Sequence, residues 1–309
     1  MLVHAASAEL PPSAKGAAIA LGNFDGVHSG HQAVIAAARL AAQARGAPLA
    51  AAVFTPHPRR FFQADAPAFA VQSPSQRASA LAALGVMHLF EIGFDAAMAQ
   101  MSDADFAAQI LAARLGAAHV SVGADFRFGR GRGGDAASLA RLGAAAGFSV
   151  DAAAPVIERG EKISSSAIRA AISEGDMPAA ARMLTRPWGI EGEVVRGFAR
   201  GRGIGAPTAN VRLGDYVRPR LGIYAVRVDI GDGAPRPGVA SVGVNPTVGA
   251  LPEPLLEAHL FDFDADLYGR VIEVRLIAFL RPEEKFDSVE AMSRQIEQDC
   301  ARARAVLAS

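Results

Sequence analysis

The segment at residues 22–31, GNFDGVHSGH, combines three glycines with two histidines in a pattern that suits a triphosphate. The glycines allow the backbone to turn sharply and to approach a ligand closely. A helix predicted to begin near His31 would present free N–H groups and the positive end of its dipole. His28 and His31 can point the same way at that helix start, where two imidazoles would stabilise the charge that builds as pyrophosphate leaves an α-phosphate. These two histidines are therefore the predicted catalytic pair, and the predicted ATP contacts of the turn are Gly22, Asn23, Phe24, Asp25, Gly26 and Gly30.

An isolated H-x-x-H pattern is more often two surface histidines or part of a metal site. Here no H-E-x-x-H glutamate accompanies the pair and no third ligand is near in sequence. The pair also follows a glycine-rich turn between a strand-like run and a helical pattern. This position favours phosphate chemistry over both alternatives.

A second phosphate receptor is predicted at residues 163–169, ISSSAIR. Serine hydroxyls at a helix N-terminus, with an arginine one turn later, can bind phosphate oxygens. Ser164, Ser165 and Arg169 are the predicted ATP contacts. An ordinary serine N-cap is the alternative explanation for the serines alone.

The segment VGADFRFGRGRGGD at residues 122–135 formally satisfies G-x-G-x-x-G through Gly129, Gly131 and Gly134. A dinucleotide-binding turn must therefore be considered. That fingerprint belongs to the first strand-to-helix turn of its domain, whereas this strand comes late and Phe126 and Phe128 intervene. The pattern argues against a dinucleotide site.

In the second half of the chain, glycines at 197, 201, 203 and 205 precede the element PTAN, but no G-K-[ST] occurs anywhere. A Walker loop is therefore excluded. Thr208 and Asn210 are two residues apart, so on a strand their oxygens face the same side and could bind a hard cation such as Mg²⁺. A strand threonine and a turn asparagine are also routine, and the spacing alone leaves both explanations open.

The elements around these motifs predict two domains, which 309 residues amply support. Short apolar runs alternate with alanine-rich helical patterns from about residue 17 to 157, which predicts a parallel sheet covered on both faces, in a Rossmann-like α/β domain. We place the boundary near residue 186, giving domains 1–186 and 187–309. Beyond it, short valine-rich and aromatic runs predict a small antiparallel β-barrel, and an amphipathic helix capped by Asp287 or Ser288 closes the chain.

Composition excludes several classes of function. Lysine plus arginine equals aspartate plus glutamate at 31 each, with no block of like charge, so nucleic acid is not an expected partner. The single cysteine, Cys300, excludes an internal disulfide and suits a reducing compartment. The beginning of the sequence shows no basic leader with an apolar core, and no later stretch is long and apolar enough to span a membrane. We therefore expect a cytoplasmic location and no membrane partner.

The HSGH turn and the ISSSAIR helix start together resemble the nucleotidylyltransferase superfamily, which embraces ATP with an HxGH turn and an ISSTxIR helix. Ser166 stands where threonine is usual and keeps the hydroxyl. VGADFRFG resembles the corresponding loop of the FMN adenylyltransferases, which implies Asp125 near the adenosine and Arg127 near phosphate. The resemblance also implies a flavin side lined by residues of FTPHP, namely Phe54, Pro56, His57 and Pro58. Phe61 and Phe62 follow closely, and we expect them to be core residues rather than flavin contacts.

Motifs of the second half resemble riboflavin kinase in order and spacing: PTAN, PRLGIYAV, VGVNPT, LEAHLFDF, DLYG and FLRPEEKFDS. The resemblance implies that Glu257 is the general base toward the ribityl hydroxyl and that Thr208 and Asn210 hold Mg²⁺–ATP. A glutamate at this point could also be the solvent-facing member of an alternating strand. Ala206 and Val248 depart from the aromatic residues that are usual at their positions. The kinase ATP contacts implied are Gly197, Gly201, Gly205, Pro207 and Tyr224.

Together the motifs resemble the bifunctional riboflavin kinase/FMN adenylyltransferase family. The resemblance implies phosphorylation of riboflavin by ATP to FMN, then transfer of AMP from a second ATP to FMN, giving FAD and pyrophosphate, with Mg²⁺ at both sites. One alternative is an adenylyltransferase with another acceptor, such as phosphopantetheine, joined to an unrelated barrel. Another is a flavin-sensing protein whose barrel binds FMN without turnover. The sequence leaves the oligomeric state open.

Overall fold

The computed structural model describes residues 1–5, 9–195, 208–244 and 254–308 of the chain. These residues form two compact units, one made of Met1–Ala66 and Pro74–Ser164, the other of Pro67–Ser73 and Ser165–Ser309. No helix within the described ranges is both long enough and apolar enough to cross a membrane.

The first unit is built on a six-stranded parallel sheet, in the order β1-β4-β3-β2-β5-β8. Its strands are β1 (Leu2–His4), β2 (Ala18–Leu21), β3 (Leu49–Thr55), β4 (His88–Gly93), β5 (His119–Gly123) and β8 (Ser149–Ala153). Two short hairpins complete its strands: β6 (Arg127–Phe128) with β7 (Gly134–Asp135), and β9 (Ile157–Glu158) with β10 (Glu161–Lys162).

Helices and helical turns cover both faces of this sheet. They are α1 (Ser29–Arg45), α2 (Pro58–Phe62), α3 (Pro74–Ala83), α4 (Ala96–Gln100), α5 (Asp103–Asp105), continued by a π-helix at Phe106–Arg114, and α6 (Ala136–Ala146). Alternate residues of β2 show why helices are needed on each side. Ile19 and Leu21 belong to one apolar cluster, whereas Ala18 and Ala20 belong to the other. Both faces of the strand are therefore buried, as expected for a parallel sheet, and the predicted α/β domain is confirmed.

Strand β1 adds an edge that the sequence did not reveal. His4 on β1 lies beside His88 on β4, with Nε2 of His4 3.0 Å from Nδ1 of His88. Both imidazoles are buried. Burial lowers the pKa of His88, and the neighbouring His4 lowers it further. Protonation of His88 is therefore disfavoured in the folded chain.

The second unit contains a closed six-stranded antiparallel barrel, in the order β11-β12-β15-β14-β13-β16. Its strands are β11 (Trp188–Val195), β12 (Ala209–Arg212), β13 (Gly222–Asp229), β14 (Arg236–Val244), β15 (Pro254–Leu260) and β16 (Val271–Arg281). The barrel confirms the second predicted fold. The terminal helix α9 (Val289–Ala308) packs Ala303 and Leu307 against the outer face of the barrel, and Ser288 accepts a hydrogen bond from the Ala291 amide as its predicted cap.

Two helices, α7 (Ser165–Glu174) and α8 (Met177–Leu184), share the apolar core of the barrel. Ile172 and Leu184, for example, lie in the same buried cluster as Trp188 and Leu276. The predicted boundary near residue 186 thus separates segments that have one core in common, and the change of unit in the structure falls at residues 164/165.

The segment Pro67–Ser73 also belongs to the second unit, although the chain on either side of it belongs to the first. The indole N–H of Trp188 donates to the Val71 carbonyl at 2.7 Å. Arg186 donates to the Gln72 side chain at 2.9 Å, and Ser73 donates to Glu191 at 2.6 Å. We call residues 67–73 the crossing segment.

Candidate active sites

The turn after β2 has an unusual backbone. Phe24, Gly26 and Val27 all adopt positive φ, at 51°, 95° and 43°. Left-handed backbone is uncommon for non-glycine residues and is an outlier for a β-branched residue such as Val27. The side chains of Phe24 and Val27 are buried to about 1% exposure, and this burial holds the turn in its strained form. Such strain is concentrated at functional sites.

His28 and His31 are stacked at the end of this turn. Their ring centroids are 3.7 Å apart and their planes differ by 22°. The helix α1 begins at Ser29, two residues earlier than predicted, because His28 is its N-cap and accepts the His31 amide at Nδ1, 3.3 Å away. Since Nδ1 of His28 accepts, the proton of the neutral ring lies on Nε2.

Gly30 provides the space for this stack. A Cβ at position 30 would lie 3.0 Å from Cε1 and 3.1 Å from Nδ1 of His28, and 3.6 Å from the Ile163 carbonyl. Ile163 is the first residue of ISSSAIR, so the structure brings the beginning of that motif against the HSGH turn, as a shared ATP site would require. The predicted need for glycine at position 30 therefore has a specific cause, the ring of His28.

The surroundings of His31 disfavour its charged form. Burial lowers the pKa of His31 well below its usual value, and the neighbouring His28 lowers it further. His31 is therefore neutral at physiological pH. Its Nδ1 is buried without a hydrogen-bond partner among the described residues, and the same holds for Oδ1 of Asn23 and Oγ of Ser29. Three unsatisfied polar atoms so close in sequence are typical of a site that awaits a polar ligand.

The amides of Ser29 and Gly30 add to this anion site. The first four N–H groups of a helix have no intrahelical acceptor. The His28 side chain satisfies one of them, the His31 amide, and the His28 carbonyl accepts the first intrahelical bond, from the Gln32 amide at 2.9 Å. The amides of Ser29 and Gly30 belong to the same set and lie at the positive end of α1, the kind of position that binds phosphate.

Asp125 and Arg127, the predicted adenosine and phosphate contacts of the DFRFG loop, each form an ion pair within the protein. Asp125 forms a close ion pair with Lys162 on β10, which holds the pKa of the Asp125 carboxyl below its usual value. Arg127 lies 3.3 Å from Asp135, its register partner across the β6–β7 hairpin. Lys162 therefore contacts this loop. It was not among the predicted site residues, because nothing in the sequence relates it to a loop so far upstream.

Two of the three glycines of G-x-G-x-x-G are needed for packing in this hairpin. A Cβ at Gly129 would lie 2.9 Å from the Asp103 amide nitrogen, and one at Gly134 would lie 2.6 Å from the Phe128 ring. The motif follows the fifth strand rather than the first. Both facts agree with its rejection as a dinucleotide fingerprint.

The FTPHP segment lies at the end of β3, beside an exposed group of aromatic rings. His57 caps α2 by accepting the Arg59 amide at 3.1 Å, and the Thr55–Pro56 peptide is cis. Ring centroids of Phe54, Phe61 and Phe62 lie 5.6, 5.4 and 5.7 Å from that of Phe94.

Our expectation that Phe61 and Phe62 are core residues is wrong. They are 37% and 65% exposed, because α2 is a single short turn with no buried residue. The four rings, Phe54, Phe61, Phe62 and Phe94, form what we call the aromatic cluster.

The rest of ISSSAIR continues into the second unit. Ser164 is the last residue of the first unit, and α7 begins at Ser165. Arg169 donates from Nε to the Phe69 carbonyl of the crossing segment at 2.6 Å and lies over the Phe69 ring at 5.5 Å. A contact between Arg169 and ATP phosphate stays a prediction.

In the barrel, Asn210 lies directly opposite Glu257 on the neighbouring antiparallel strand, and Glu257 in turn lies opposite Ser241. Residues that alternate with them, such as Ala209 and Leu256, belong to the barrel interior. Asn210, Glu257 and Ser241 therefore form a row on the outer face. Directly opposed side chains have Cβ atoms about 4.5–5.5 Å apart, which is close enough to share a ligand.

Asn210 has the properties of a ligand residue. It is 4% exposed, and its Nδ2 donates to the Thr208 carbonyl at 3.4 Å. Its Oδ1 is buried without a hydrogen-bond partner in the described part of the chain. An amide oxygen left in this way fits a hard cation, for which oxygen is the preferred donor. Neither unit, in its described residues, contains a cluster of three or more His, Cys, Asp or Glu residues arranged for a metal.

Sequence reasoning missed a carboxylate near Glu257 and an ion pair on the same stretch of chain. The carboxylate of Glu283 lies over Gly243 and would collide with a Cβ at that position. Burial raises the pKa of the Glu283 carboxyl, and the charge of Glu257 raises it further. Arg281 binds Asp299 of α9 through two nitrogens, at 3.0 and 2.7 Å. The only signal in the sequence was the charged run FLRPEEKFDS after a predicted strand.

The remaining kinase predictions have different outcomes. Tyr224 is fully buried in the barrel, and its hydroxyl donates to the Arg220 carbonyl. Burial raises the pKa of its phenol, although the charge of Arg220 acts in the opposite direction. Tyr224 is a core residue that offers no surface to ATP. Thr208 precedes β12 and is partly buried. The following residues of the prediction lie outside the described ranges: Gly197, Gly201, Gly205, Ala206, Pro207 and Val248.

Two family models match the chain, one for each unit. The FAD synthetase model matches residues 10–167, and the riboflavin kinase model matches residues 184–307. This pair defines a class of protein that joins an adenylyltransferase to a flavin kinase in one chain.

Curated relatives match nearly the whole length. The bifunctional riboflavin kinase/FMN adenylyltransferase of Pseudomonas fluorescens is 41% identical over 97% of this chain and 96% of its own length. The protein of the same name from Escherichia coli K12 is 38% identical over 94% of this chain and 92% of its own length. This chain belongs to the bifunctional riboflavin kinase/FMN adenylyltransferase family.

A crystal structure from Streptococcus pneumoniae, named as a macrolide-efflux protein, has the same fold. The two chains are 30% identical, with a TM-score of 0.86 and 97% of each chain covered. The likeness supports the architecture described above over nearly the entire chain.

Proposed function

We propose that the two sites described above are the two active sites of a flavin-cofactor enzyme. The chain phosphorylates riboflavin with ATP to give FMN, and it transfers AMP from ATP to FMN to give FAD and pyrophosphate. The barrel carries the first reaction and the α/β unit the second. We assign residues 1–186 to the adenylyltransferase domain and 187–309 to the kinase domain, with α7 and α8 contributing to the core of the latter.

In the adenylyltransferase site, the triphosphate binds at the N-terminus of α1, against the amides of Ser29 and Gly30. A phosphate oxygen of FMN attacks the α-phosphorus of ATP, a new P–O bond forms, and the bond to pyrophosphate breaks. His28 donates its Nε2–H to the oxygens that gain charge in this step, and neutral His31 stacks against it. Such fixed donors stabilise the transition state because they need no reorganisation.

The aromatic cluster is the proposed receptor of the flavin ring. Its exposed Phe62 and the adjacent Phe61 offer an apolar surface at the end of β3, and isoalloxazine is a flat aromatic system that packs favourably on such rings. Pro56, His57 and Pro58 lie at the same edge of the sheet, directly after β3. The FMN specificity of this site therefore depends on the side chains of Phe61 and Phe62, which we had expected to lie in the core.

In the kinase site, Glu257 accepts the proton of the ribityl hydroxyl as that oxygen attacks the γ-phosphorus of ATP. The bond between the γ-phosphorus and the bridging oxygen breaks, and ADP leaves. Thr208 and Asn210 would hold Mg²⁺ beside the β- and γ-phosphates, where the cation would offset their charge. The position of Asn210 opposite Glu257 supports this pairing of a cation ligand with a general base.

The observation that supports this proposal most directly is the unsatisfied Oδ1 of Asn210, buried directly opposite Glu257. The test is incubation of the purified chain with riboflavin, ATP and Mg²⁺, with separation of the products by chromatography. We expect FMN and then FAD, and neither product when EDTA replaces Mg²⁺. Absence of FMN would exclude the kinase, and absence of FAD from supplied FMN would exclude the adenylyltransferase.

We also propose a cytoplasmic location. The support is the single, unpaired Cys300 in a chain of this length, which suits a reducing compartment.

A further inference from the structure

A second polar cluster lies at the opposite end of the parallel sheet from the ATP turn. His119 is the first residue of β5 and Ser149 the first residue of β8, and the two are register partners. Because all strands of the sheet are parallel, these residues lie at the amino ends of their strands, whereas GNFDGVHSGH follows a carboxyl end. The proposed flavin chemistry uses none of them.

The cluster forms a serine–histidine–aspartate chain. Oγ of Ser149 lies 2.7 Å from Nδ1 of His119. On the other side of the ring, Nε2 of His119 lies 3.4 Å from Oδ2 of Asp151 and 3.1 Å from Oγ of Ser121. With the ring proton on Nε2, facing Asp151, Nδ1 is free to accept from the Ser149 hydroxyl. This is the order of nucleophile, base and orienting carboxylate that activates a serine.

The imidazole of His119 is held in the neutral form that activation of Ser149 requires. It is 5% exposed, and burial lowers its pKa although Asp151 acts in the opposite direction. A neutral imidazole can accept the serine proton, whereas a protonated one cannot. The other acceptor within reach of the Ser149 hydroxyl, the Ala118 carbonyl, is farther away at 3.5 Å.

Arg45 completes the cluster. Its guanidinium donates to Oγ of Ser149 at 2.7 Å, from the last turn of α1. A cation at this distance favours the alkoxide of Ser149 and would bind an anionic oxygen on an incoming electrophile. Ser149 itself is exposed, so a reagent can reach it.

We propose that Ser149 is an activated nucleophile that reacts with phosphoryl electrophiles. In the reaction, Oγ of Ser149 forms a bond to phosphorus, the leaving group departs with the electron pair of its own bond, and the hydroxyl proton passes to Nδ1 of His119. Arg45 stabilises the phosphoryl oxygens, and Asp151 stabilises the imidazolium that results.

The test uses the full chain and a fluorophosphonate probe, with fluoride as the leaving group, followed by mass spectrometry of the labelled peptides. We expect a single adduct on Ser149, lost in Ser149→Ala, while other exposed serines such as Ser79 and Ser288 in the same sample stay unlabelled. Absence of an adduct on Ser149 would overturn the proposal.

Variants of the chain distinguish an activated serine from a merely exposed one. Asp151→Asn keeps the shape of the side chain and should slow labelling by about 10²-fold. His119→Ala should slow it at least as much, and Arg45→Gln should also slow it. FAD formation from FMN shows in each case that the first unit is folded, since these residues lie outside the proposed adenylyltransferase site. An unchanged labelling rate in folded Asp151→Asn and Arg45→Gln proteins would contradict the proposal.

Discussion

The imidazole of His28 occupies the space that a side chain at Gly30 would need, with its Cε1 3.0 Å from the position of a Cβ. Gly30 therefore determines where the proposed proton donor of the adenylyltransferase lies. A glycine without a functional side chain thus affects the proposed catalytic step through the position of His28.

Replacement of Gly30 by alanine should displace His28 and slow FAD formation from FMN by roughly 10²-fold, because small misplacements at a reacting centre have effects of this size. FMN formation should be unchanged. The control is Gly133→Ala, where a Cβ would meet only the Arg130 carbonyl at an ordinary 3.5 Å. Equal FAD rates for the two variants would show that the position of His28 is unimportant.

Replacement of His28 by alanine should slow FAD formation by about 10²–10³-fold, the usual effect of removing one donor from a transition state. Riboflavin phosphorylation by the same protein serves as the internal control. The rate should be measured at saturating FMN and ATP, so that it reports the step itself and not substrate binding. A rate equal to that of the parent chain would exclude His28 as a donor.

Replacement of Glu257 by glutamine should abolish FMN formation, because the amide cannot accept the proton of the ribityl hydroxyl. FAD formation from supplied FMN should survive, since the two sites lie in different units. Glu193→Gln is the matched control, a glutamate that is exposed on strand β11 of the same barrel. Loss of both activities in Glu257→Gln would contradict the independence of the sites.

The His4–His88 pair should make the stability of the first unit depend on pH. The pKa of His88 is lowered in the folded state, so the unfolded chain binds more protons as pH falls below the ordinary histidine pKa of about 6.5. The contribution of neutral His88 to stability is therefore full at pH 7–8 and declines toward pH 5.

A variant His88→Gln should have a lower thermal midpoint than the parent chain at pH 8, and the difference should shrink at pH 5. Circular dichroism at several pH values measures both quantities. A difference that stays constant from pH 8 to pH 5 would show that burial of His88 does not couple its protonation to unfolding.

The hydrogen bond from Trp188 to the crossing segment should stabilise the second unit. Trp188→Phe leaves the Val71 carbonyl without its donor in a buried place, at a cost of about 1–3 kcal/mol. Unfolding by urea, followed by circular dichroism since Trp188 is the only tryptophan, gives this value. Tyr268→Phe, at an exposed position, should have little effect. Equal midpoints for the two variants would mean that the bond is not stabilising.

Much of this architecture could be predicted because local patterns and tertiary structure agree. Strands such as β2, with apolar residues on both faces, indicate a buried parallel sheet. The HSGH turn allowed a phosphate site to be predicted because its glycines and histidines are adjacent in sequence.

Other features depend on distant residues. Strand β1 is short, and Leu2 and Val3 are exposed, so no periodic pattern marks it. Phe61 and Phe62 suggest burial by their type alone, yet α2 is too short to turn them inward. The ion pair of Arg281 with Asp299 joins a strand to a helix, and no local spacing relates them. Contacts of this kind are set by the fold and cannot be read from periodicity.

The crossing segment affects how the enzyme can be made as a nascent chain. Residues 67–73 leave the ribosome long before Trp188, Glu191 and the strands that receive them. The second unit therefore becomes complete only when it incorporates residues that were translated before most of the first unit. Until that point, residues 67–73 lack their partners, although the chain on both sides of them belongs to a unit that has already been synthesised.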